Sequence, residues 1–447
     1  MVSKGSMICH PSPRNPRAAA IAALTRFYRQ PAPIRDFAEG ALAAADRRLA
    51  MNIVYGVLRR RQYLAALTAR LCRHPDHKLD ATLRQALAVG LYQLFFLDRI
   101  PQAAAVHETV AAAKQLGLPP HLAGVLNGSL RGAIRQQDAL PQPEDFLNHP
   151  EWLTERWQAR FGQAEMRRIC AANNLPPPLA LRVNSRRCRP DQLASGLTAA
   201  GITARPGHYA AGAILLPDYQ GDIASLPGFA EGRFHVQDEA AQLACALLGT
   251  GGESLDILDA CAGLGGKTAT IAQLWPKARL QAVEPDARRG QLFAANSRRL
   301  GFQAMLFAGT LADYAAAHTM RFDRIFLDAP CSGTGVCGRH PEIRWSRQAA
   351  DLARYQAGQL ALLGQAHTLL KPGGLLVYAT CSLEDEENAQ VIRRFVEGKT
   401  DMVLEDCRQE EPDLLPPAAD DLLVDSFLQP RPSQGLDGFF AARLRRR

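Results

Sequence analysis

Two cysteines, Cys331 and Cys381, stand where a reactive thiolate is expected. Cys331 lies in the segment Asp-Ala-Pro-Cys-Ser that starts at Asp328, and Cys381 lies in Ala-Thr-Cys-Ser; each segment follows an apolar run typical of a buried strand. A thiolate is nucleophilic enough for covalent catalysis, and turn-forming neighbours at a helix start stabilise it. We therefore expect both cysteines to do chemistry, unlike the thiols predicted to be buried structural residues: Cys72, Cys170, Cys188, Cys245 and Cys407.

A glycine-rich segment, DACAGLGGKT at 259–268, has the composition of a cofactor loop. Gly263, Gly265 and Gly266 let the backbone turn tightly and approach a ligand closely. Glu284 follows roughly 20 residues later, the spacing at which a carboxylate commonly binds ribose hydroxyls. The segment lacks the GxxxxGK[ST] pattern, which argues against a phosphate cradle.

Regular alternation of short apolar runs and helical patterns after residue 236 predicts the scaffold that positions these groups. Runs and helices in alternation indicate a parallel, doubly wound sheet with helices on both faces, in which the carboxyl ends of the strands share one rim. The predicted strands are 254–260, 279–283, 303–308, 322–328 and 375–380, with a final strand at 437–444. The predicted helices are 267–274, 286–300, 312–318, 348–370 and 384–398.

The rest of the chain predicts two further domains. Residues 1–140 are rich in Ala and Leu with helical periodicity, which predicts an all-helical domain of six or seven helices. A proline-bearing linker separates it from a small mixed α/β domain at 150–235, and residues 236–447 form the α/β domain with the sheet. Breaks between the first helices are expected at Pro31–Pro33, His74–His77, Pro101 and Pro119–Pro120.

The composition excludes several classes of protein. No run approaches 18 apolar residues and the N-terminus lacks the apolar run of a secretory signal, so we expect a cytoplasmic protein with no membrane partner. Ten cysteines without a CxxC pair predict free thiols rather than disulfides or a metal site. A monomer is expected because no heptad pattern is visible. Whether the first six residues are native, or Met7 is the native start, stays open.

Charge is distributed unevenly along the chain. Residues 1–140 carry 19 Lys and Arg against 8 Asp and Glu, a net charge of +11, whereas the remaining residues carry 33 against 36. Such an excess is typical of a surface that binds a polyanion such as nucleic acid. The alternative to nucleic-acid binding is that these charges only form solvated helix faces, such as the one with Arg59, Arg60 and Arg61.

The segments DAPCSGTG (328–335), ATCSLEDEEN (379–388) and DACAGLGGKT resemble the RNA cytosine-5 methyltransferases of the Nop2/Sun type. Nearly the whole chain is similar to the bacterial 16S ribosomal RNA branch of that family, the RsmB/Fmu group. Residues 1–140 resemble the NusB-type RNA-binding domain, notably at 99–108 and 125–131, and 236–447 resemble a Rossmann-like class I methyltransferase domain. Other segments that fit the family are 181–184, 236–239, 339–345 and 437–440.

The resemblance implies a role for each matching residue. Cys381 is expected to attack C6 of a cytosine, Asp328 to assist by hydrogen bonding or proton transfer near N3, and Cys331 to assist the elimination that frees the enzyme. The target base must leave its stack, which suits a loop or an unpaired position. The resemblance implies position 967 of 16S rRNA, and other loops of the small subunit are the alternative targets. S-adenosyl-L-methionine is the implied methyl donor, held by Cys261, Ala262, Gly263, Leu264, Gly265, Gly266, Lys267, Glu284, Thr310 and Asp328.

Two segments depart from the family pattern. Gly263-Leu264 stands where the family has Ala-Pro, and losing the proline is expected to make the turn more flexible. Thr310 stands where the family has an aspartate near the adenine amine, so that the Thr310 hydroxyl or the nearby Asp313 would have to serve instead. Neither departure touches the cysteines or Asp328.

Two other functions are compatible with parts of the sequence. A DNA cytosine-5 methyltransferase would use the cysteine after proline, Cys331, as its nucleophile, but the second cysteine and the basic helical domain favour RNA. A non-catalytic RNA-binding or ribosome-assembly factor would keep the fold and lose turnover. For residues 1–140, docking of a protein is the alternative to RNA binding.

Overall fold

The computed structural model describes residues 15–32, 34, 42–72, 79–408 and 414–447. The open question of the native start at Met7 and the expected break at His74–His77 lie outside these ranges, as does Pro33. The chain divides into two compact units, Met1–Leu175 with His340–Ser346, and Pro176–Arg339 with Arg347–Arg447. Across the ranges described, no helix combines the length and the apolar character needed to cross a membrane.

The first unit is built from helices whose apolar faces share one core. Asn15 and Asp80 cap their helices by accepting hydrogen bonds from backbone amides of the first turn, and Pro16 and Pro120 start theirs. Leu24, Leu87 and Leu130 are fully buried in the shared core. The helices are α1 (Pro16–Arg29), α2 (Ala44–Arg59), α3 (Arg61–Leu71), α4 (Ala81–Phe96), α5 (Gln102–Gln115), α6 (Pro120–Arg135), α7 (Glu151–Phe161) and α8 (Gln163–Asn173).

The second unit begins with a small antiparallel sheet of order β2-β3-β1-β4. Its elements are β1 (Leu179–Val183), α9 (Pro190–Ala199), β2 (Arg205–Pro206), β3 (Ala213–Leu216) and β4 (Phe234–Val236). The mixed domain expected at 150–235 is thus divided: α7 and α8 belong to the first unit, and the strands belong to the second. The expected domain boundaries stay predictions.

Strands and helices then alternate as predicted. The elements are α10 (Glu239–Ala246), β5 (Asp256–Asp259), α11 (Gly266–Leu274), β6 (Arg279–Val283), α12 (Ala287–Leu300), β7 (Met305–Phe307), α13 (Leu311–Ala317) and β8 (Phe322–Asp328). Two of the strands, β6 and β8, have the predicted bounds, whereas β5 and β7 are shorter because their outer residues leave the ladder.

The chain leaves the second unit after Arg339 and returns at Arg347. In between, α14 (Ile343–Ser346) packs within the first unit, although the sequence had placed it in the methyltransferase domain. Trp345 packs against the apolar core there, and its Nε1 donates to the backbone oxygen of Leu58 (2.7 Å), while the fully buried Arg344 donates to three acceptors. Those acceptors are the backbone oxygens of Asn148 (3.0 Å) and Asn173 (2.8 Å) and Oδ1 of Asn174 (2.9 Å).

The last elements complete a sheet of order β11-β12-β13-β9-β8-β5-β6-β7, with β10 also paired to β13. They are α15 (Asp351–Leu369), β9 (Leu370–Thr380), α16 (Ala389–Glu397), β10 (Met402–Glu405), β11 (Leu423–Val424), β12 (Phe427–Leu428) and β13 (Phe440–Arg446). The predicted parallel sheet is confirmed from β7 to β9. The sheet as a whole is mixed, because β13 runs antiparallel to β9 and pairs with it from Phe440 opposite Thr380.

Strand order creates a crevice at one rim of this sheet. The chain runs outward from β5 through β6 to β7 and then returns to the other side of β5 with β8. Such a switch point leaves an opening beyond the carboxyl ends of the central strands. Both faces of the sheet are buried, since Phe326 and Val377 belong to one core and Leu327 and Tyr378 to the other. Groups that follow β5, β6, β8 and β9 therefore share the crevice.

Gly335 is a point of close backbone approach beside this crevice. Its N–H donates to the backbone oxygen of Cys381 (3.0 Å), and its own carbonyl accepts from Gly438 N (2.8 Å). A Cβ on Gly335 would lie 2.1 Å from the Gly438 oxygen and 2.9 Å from the Cys381 oxygen, and backbone atoms cannot rotate away. We expect Gly335→Ala to lower the free energy of unfolding of the second unit by about 1–3 kcal/mol, measured by thermal unfolding.

Gly358 provides the matched control for this substitution. It is exposed in the middle of α15, and a Cβ there meets open space. Gly358→Ala is expected to raise the stability by up to about 1 kcal/mol through helix propensity. Equal effects of the two substitutions would contradict a packing constraint at Gly335.

Candidate active site

The loop after β5 forms one wall of the crevice. It is closed by hydrogen bonds from Ala262 N to the backbone oxygen of Val283 (3.0 Å) and from Gly265 N to the oxygen of Ala262 (2.9 Å). Gly265 has φ +83°, and a Cβ on it would lie 2.8 Å from a ring carbon of Phe293. The loop therefore needs glycine at this position, and α11 starts directly after it.

The predicted cofactor residues all lie at or just after the ends of neighbouring strands. Cys261 to Lys267 lie in the loop after β5 and at the start of α11, and Glu284 directly follows β6. Glu284 is buried, and its Oε1 accepts from Asp286 N (2.7 Å) and lies 3.2 Å from Arg289 Nη2. The structure brings these residues to one rim, while their roles stay predictions.

Leu264 replaces the proline of the family pattern and is 47% exposed. Asn296 on α12 donates its side-chain N–H to the Leu264 carbonyl oxygen (3.0 Å). This bond ties the turn to α12, a contact that the sequence alone did not reveal.

Thr310 is the N-cap of α13 and forms a capping box with Asp313. Its hydroxyl donates to Asp313 Oδ2 (2.6 Å), and the same carboxylate accepts from Thr310 N (3.0 Å). These hydrogen bonds lower the pKa of Asp313. A carboxylate therefore lies directly against the position where the family has an aspartate, but it comes from the next turn.

Asp259, the last residue of β5, has a buried carboxylate. It is the first residue of the glycine-rich segment, but the sequence did not predict it as a site residue. Its Oδ2 accepts from the Thr268 hydroxyl (2.6 Å), whereas its Oδ1 has no hydrogen-bond partner in the part of the chain that the structure describes. Burial raises the pKa of Asp259 to about 6. An acceptor of this kind fits a bound group that carries N–H donors.

Asp328, the last residue of β8, is paired with Lys267. Lys267 Nζ lies 2.7 Å from Asp328 Oδ2, and each side chain is about one quarter exposed. Burial disfavours the charged ammonium, but the adjacent carboxylate outweighs it and raises the pKa of Lys267. Lys267 was predicted only as a cofactor residue, and the structure places it beside the predicted catalytic acid.

Cys331 and Cys381 lie side by side. Their Sγ atoms are 3.4 Å apart, although the residues are separated by 50 positions in the chain. Cys331 lies in the loop after β8, and Cys381 directly follows the neighbouring parallel strand β9. The sulfurs are thus close enough to contact one small ring.

The expectation that a helix start stabilises the Cys331 thiolate is wrong. Cys331 precedes only a short 3-10 turn at Thr334–Val336. Its hydrogen bond with Cys381 and its burial raise its pKa well above the usual range. Cys331 is therefore held as a thiol that faces the sulfur of Cys381.

A buried carboxylate below the cysteines, Glu387, was missed at the sequence level. It contacts Ser332 and Ser382, the residues that follow the two cysteines. The acidic run after Cys381 was its only signal, and that run was read as part of a helix from 384 to 398. Instead, Asp385–Glu387 forms a 3-10 turn before α16.

Three family models match consecutive parts of the chain. Residues 246–445 match the 16S rRNA methyltransferase RsmB/F, residues 149–221 match the ferredoxin-like domain of RsmF/B-like methyltransferases, and residues 14–135 match the NusB family. The predicted fold class is confirmed: a NusB-like helical domain, a ferredoxin-like mixed domain and a methyltransferase domain.

Curated relatives span nearly the whole chain. "Ribosomal RNA small subunit methyltransferase B" of Pseudomonas syringae pv. tomato is 40% identical over 392 residues, which is 86% of each chain. The protein of the same name from Pseudomonas putida is 38% identical over 440 residues, covering 96% of this chain and 98% of the relative.

Solved structures share the fold. The crystal structure of PH0851 superposes with a TM-score of 0.76 at 22% identity, covering 97% of this chain and 99% of the other. NSun6 from Pyrococcus horikoshii, crystallised with SFG, has a TM-score of 0.58 at 20% identity, covering 66% of this chain and 98% of its own. A methyltransferase homologue from the same organism is 28% identical with a TM-score of 0.57, covering 67% of this chain and 96% of its own.

The predicted cofactor and the predicted kinship are both confirmed by these matches. The chain belongs to the RsmB/F family of 16S rRNA methyltransferases and is an S-adenosylmethionine-dependent ribosomal RNA methyltransferase.

Proposed function

We propose that the protein methylates carbon 5 of a cytosine in 16S rRNA, at position 967 by family resemblance, and does so in the cytoplasm through a covalent bond between Cys381 and C6. The observation that carries the proposal is the pair of sulfurs 3.4 Å apart at the rim of the sheet, beside Asp328 and Lys267. Cytosine C5 is a poor nucleophile, and adding a thiolate at C6 makes it reactive.

Each residue of the proposed site has its own role in the methyl transfer. Cys381 gives its proton to water, its Sγ bonds to C6 as a thiolate, and the electron pair of the C5–C6 double bond moves toward C5. Asp328 assists near N3 by hydrogen bonding or proton transfer, and the Lys267 ammonium beside it offsets the negative charge that develops on the ring. S-adenosylmethionine, when bound, supplies the electrophilic methyl group that C5 accepts.

Release of the product breaks the bond between Cys381 Sγ and C6. The proton on C5 leaves to water, the C5–C6 double bond forms again, and the C6–S bond breaks. Cys331 assists this elimination because its thiol can donate to Cys381 Sγ, which becomes a thiolate as it departs. The raised pKa of Cys331 fits this role, since the thiol keeps its proton near neutral pH.

The crevice suits the methyl donor. Three carboxylates at the strand ends, Asp259, Glu284 and Asp328, complement a sulfonium and an ammonium, and the glycine loop gives the ligand close access to the backbone. We propose that the buried Asp259 Oδ1, Glu284 and the loop from Cys261 to Lys267 hold this ligand. We propose that Thr310 lies near the adenine, as the resemblance implies, with Asp313 as the adjacent carboxylate.

Two alternatives lead to different observations. If Cys331 were the nucleophile, as in a DNA methyltransferase, Cys331 rather than Cys381 would be needed for covalent attachment. A non-catalytic assembly factor would bind RNA without turnover. The paired Asp328 and Lys267 favour the enzyme, because a binding surface has no need of an ion pair next to two thiols.

The covalent step is tested with RNA that contains 5-fluorocytosine, whose C5 substituent cannot leave as a proton. We expect the unsubstituted protein to form a stable adduct and Cys381→Ala to form none, scored by denaturing gel. Cys331→Ala is expected to accumulate an adduct even with ordinary RNA, because release is impaired. Cys170→Ala, a buried thiol on α8 of the first unit, is the control and should behave like the unsubstituted protein. An adduct in Cys381→Ala that is absent in Cys331→Ala would reverse the assignment.

The raised pKa of Asp259 predicts a pH-dependent cost of its charge. Above about pH 6 the folded protein holds a buried charge that the unfolded chain carries in water, so stability is lost there and recovered as the pH falls toward the unfolded pKa near 4. Asp259→Asn should therefore raise the free energy of unfolding by about 2 kcal/mol at pH 7.5 and by much less at pH 5, while weakening S-adenosylmethionine binding in calorimetry.

Asp256, at the other end of β5, is the matched control. Its carboxylate accepts two hydrogen bonds from Arg279 (2.6 and 2.7 Å), which lower its pKa. Asp256→Asn is expected to reduce stability at pH 7.5 and to leave cofactor affinity unchanged. A loss of stability in Asp259→Asn at pH 7.5 would contradict the prediction.

We further propose that the first unit anchors the RNA. A cleft of about 500 Å³ between α5 and α6 has an apolar floor that includes Val106 and Ile134, and its rim carries the exposed side chains of His107, Lys114 and Arg131. Apolar floors and cationic rims suit an unpaired base and its phosphates. The excess of positive charge in residues 1–140 supports the same assignment.

Salt dependence tests this anchor. Each lost phosphate contact should reduce the slope of log affinity against log salt by about 0.7–0.9, so Lys114→Ala with Arg131→Ala is expected to flatten the slope by about 1.5 and to weaken binding at low salt. Arg393→Ala, exposed on α16 of the second unit, serves as the control. An unchanged slope in the double variant would favour protein docking at this cleft.

A further inference from the structure

Glu387 is a carboxylate with no exposed surface, at the end of the 3-10 turn Asp385–Glu387. Four donors saturate its two oxygens. Oε1 accepts from the backbone N–H of Ser332 (2.8 Å) and from Gln359 Nε2 (3.1 Å). Oε2 accepts from the hydroxyls of Ser332 (2.5 Å) and Ser382 (2.6 Å).

The two serines are the residues that follow the two cysteines. Ser332 follows Cys331 in the loop after β8, and Ser382 follows Cys381 in the loop after β9. Their hydroxyl oxygens are also 3.1 Å from each other. One carboxylate oxygen thus joins two loops that are 50 residues apart in the chain.

The loop of Cys331 is fixed on both sides through the same group. Gln359 Nε2, which donates to Glu387, also donates to the backbone oxygen of Pro330 (3.0 Å), the residue before Cys331. Ser332 after it is held by two hydrogen bonds to Glu387. The backbone at Cys331 therefore has little freedom to move relative to Glu387.

The loop of Cys381 is fixed by the neighbouring residues of the same turn. Tyr378 donates its hydroxyl to the backbone oxygen of Glu387 (2.6 Å). Asn388 accepts from the Thr380 hydroxyl (2.6 Å) and donates to the backbone oxygen of Ser382 (2.9 Å). The residues before and after Cys381 are thus tied to the turn that carries Glu387.

A buried carboxylate is costly for stability. Burial raises the pKa of Glu387, and the hydrogen bonds from Ser332 and Ser382 oppose that shift. All four donors are neutral groups, so the network offsets the cost of desolvation only in part. Fully satisfied polar networks in a core specify one arrangement of the groups that they join.

We propose that Glu387 is a positioning residue that sets the separation of the Cys331 and Cys381 sulfurs through Ser332 and Ser382. Glu387 has no exposed surface, so it acts through the two serines rather than on the reacting atoms. The inference rests on the proposed function, because both sulfurs must reach one pyrimidine ring. A displacement of about 1 Å in such a pair costs on the order of 100-fold in rate.

The test uses the full-length protein with Glu387→Gln, which keeps the size of the side chain but replaces one acceptor oxygen with an N–H donor. We expect the effective concentration of the Cys331–Cys381 thiol pair, measured as disulfide formation against glutathione, to fall about tenfold or more. The kcat for RNA methylation should fall about 10- to 100-fold, with less than a twofold change in the KM for RNA. Cofactor affinity should not change.

Matched variants keep the result interpretable. Glu386→Gln alters the adjacent, partly exposed carboxylate and is expected to leave both measurements unchanged. Ser332→Ala and Ser382→Ala each remove one donor and should lower the effective thiol concentration. In the Glu387→Gln background they should add little, which shows coupling rather than separate packing losses.

The outcomes separate this inference from the proposed function. An unchanged effective thiol concentration in Glu387→Gln, or additive effects of the serine substitutions, would overturn the positioning role. Methylation retained in Cys381→Ala together with a reduced thiol concentration in Glu387→Gln would overturn the covalent mechanism and leave the positioning role intact. A fall in kcat that only matches the fraction of unfolded protein would also overturn the positioning role.

Discussion

The pairing of β8 with β9 as parallel neighbours is the constraint on which the site depends. Parallel neighbours end at the same rim, so a group after β8 meets a group after β9 whatever their separation in the chain. The hydrogen-bonded contact continues past the strands, from Ala329 N to the oxygen of Ala379 (2.8 Å) and from Gly335 N to the oxygen of Cys381 (3.0 Å). The two cysteine loops are therefore joined backbone to backbone before any side chain contributes.

Charge is concentrated at this rim at a cost to the folded state. Asp259 is ionised only against the penalty of burial, and Glu387 is held by neutral donors alone. Neither carboxylate is explained by the stability of the sheet, for which an apolar side chain would serve better. We explain them by their surroundings: Asp259 lies at the crevice proposed to hold the methyl donor, and Glu387 contacts the loops of the two sulfurs. These buried carboxylates lower the stability of the folded protein, but they let the site be organised before its ligands bind.

Periodicity predicted β6 and β8 because each contains a short apolar run bounded by a polar residue: Glu284 directly follows β6, and Asp328 is the last residue of β8. The same logic placed both cysteines and the glycine loop on one rim. Periodicity could not predict the side-chain hydrogen-bond networks. The acidic run at 384–388 reads as a helix start, and only coordinates show that Glu387 turns inward to two serines. The direction of β13 also depends on pairing across about 60 residues, which no local pattern specifies.

The excursion of residues 340–346 makes the first unit depend on chain that follows it by more than 160 positions. Arg344 satisfies carbonyl oxygens of Asn148 and Asn173 in a fully buried setting, and without it those groups would lose their donor. Both ends of the excursion are fastened in the second unit. Arg339 is paired with Asp238 and Asp437 at one end, and at the other Arg347 donates to the backbone oxygen of Ser332 (3.1 Å).

The first unit therefore reaches its full set of hydrogen bonds only when residues 340–346, which follow the loop after β8, have packed into it. Contacts of such sequence separation carry a loop-closure entropy that local helix contacts do not. A fragment that ends at Leu175 lacks Arg344 and Trp345, so its buried carbonyls and the backbone oxygen of Leu58 lack the donors they have in the full chain. The segment that leaves the loop of Cys331 thus completes the fold of the unit proposed to hold the RNA.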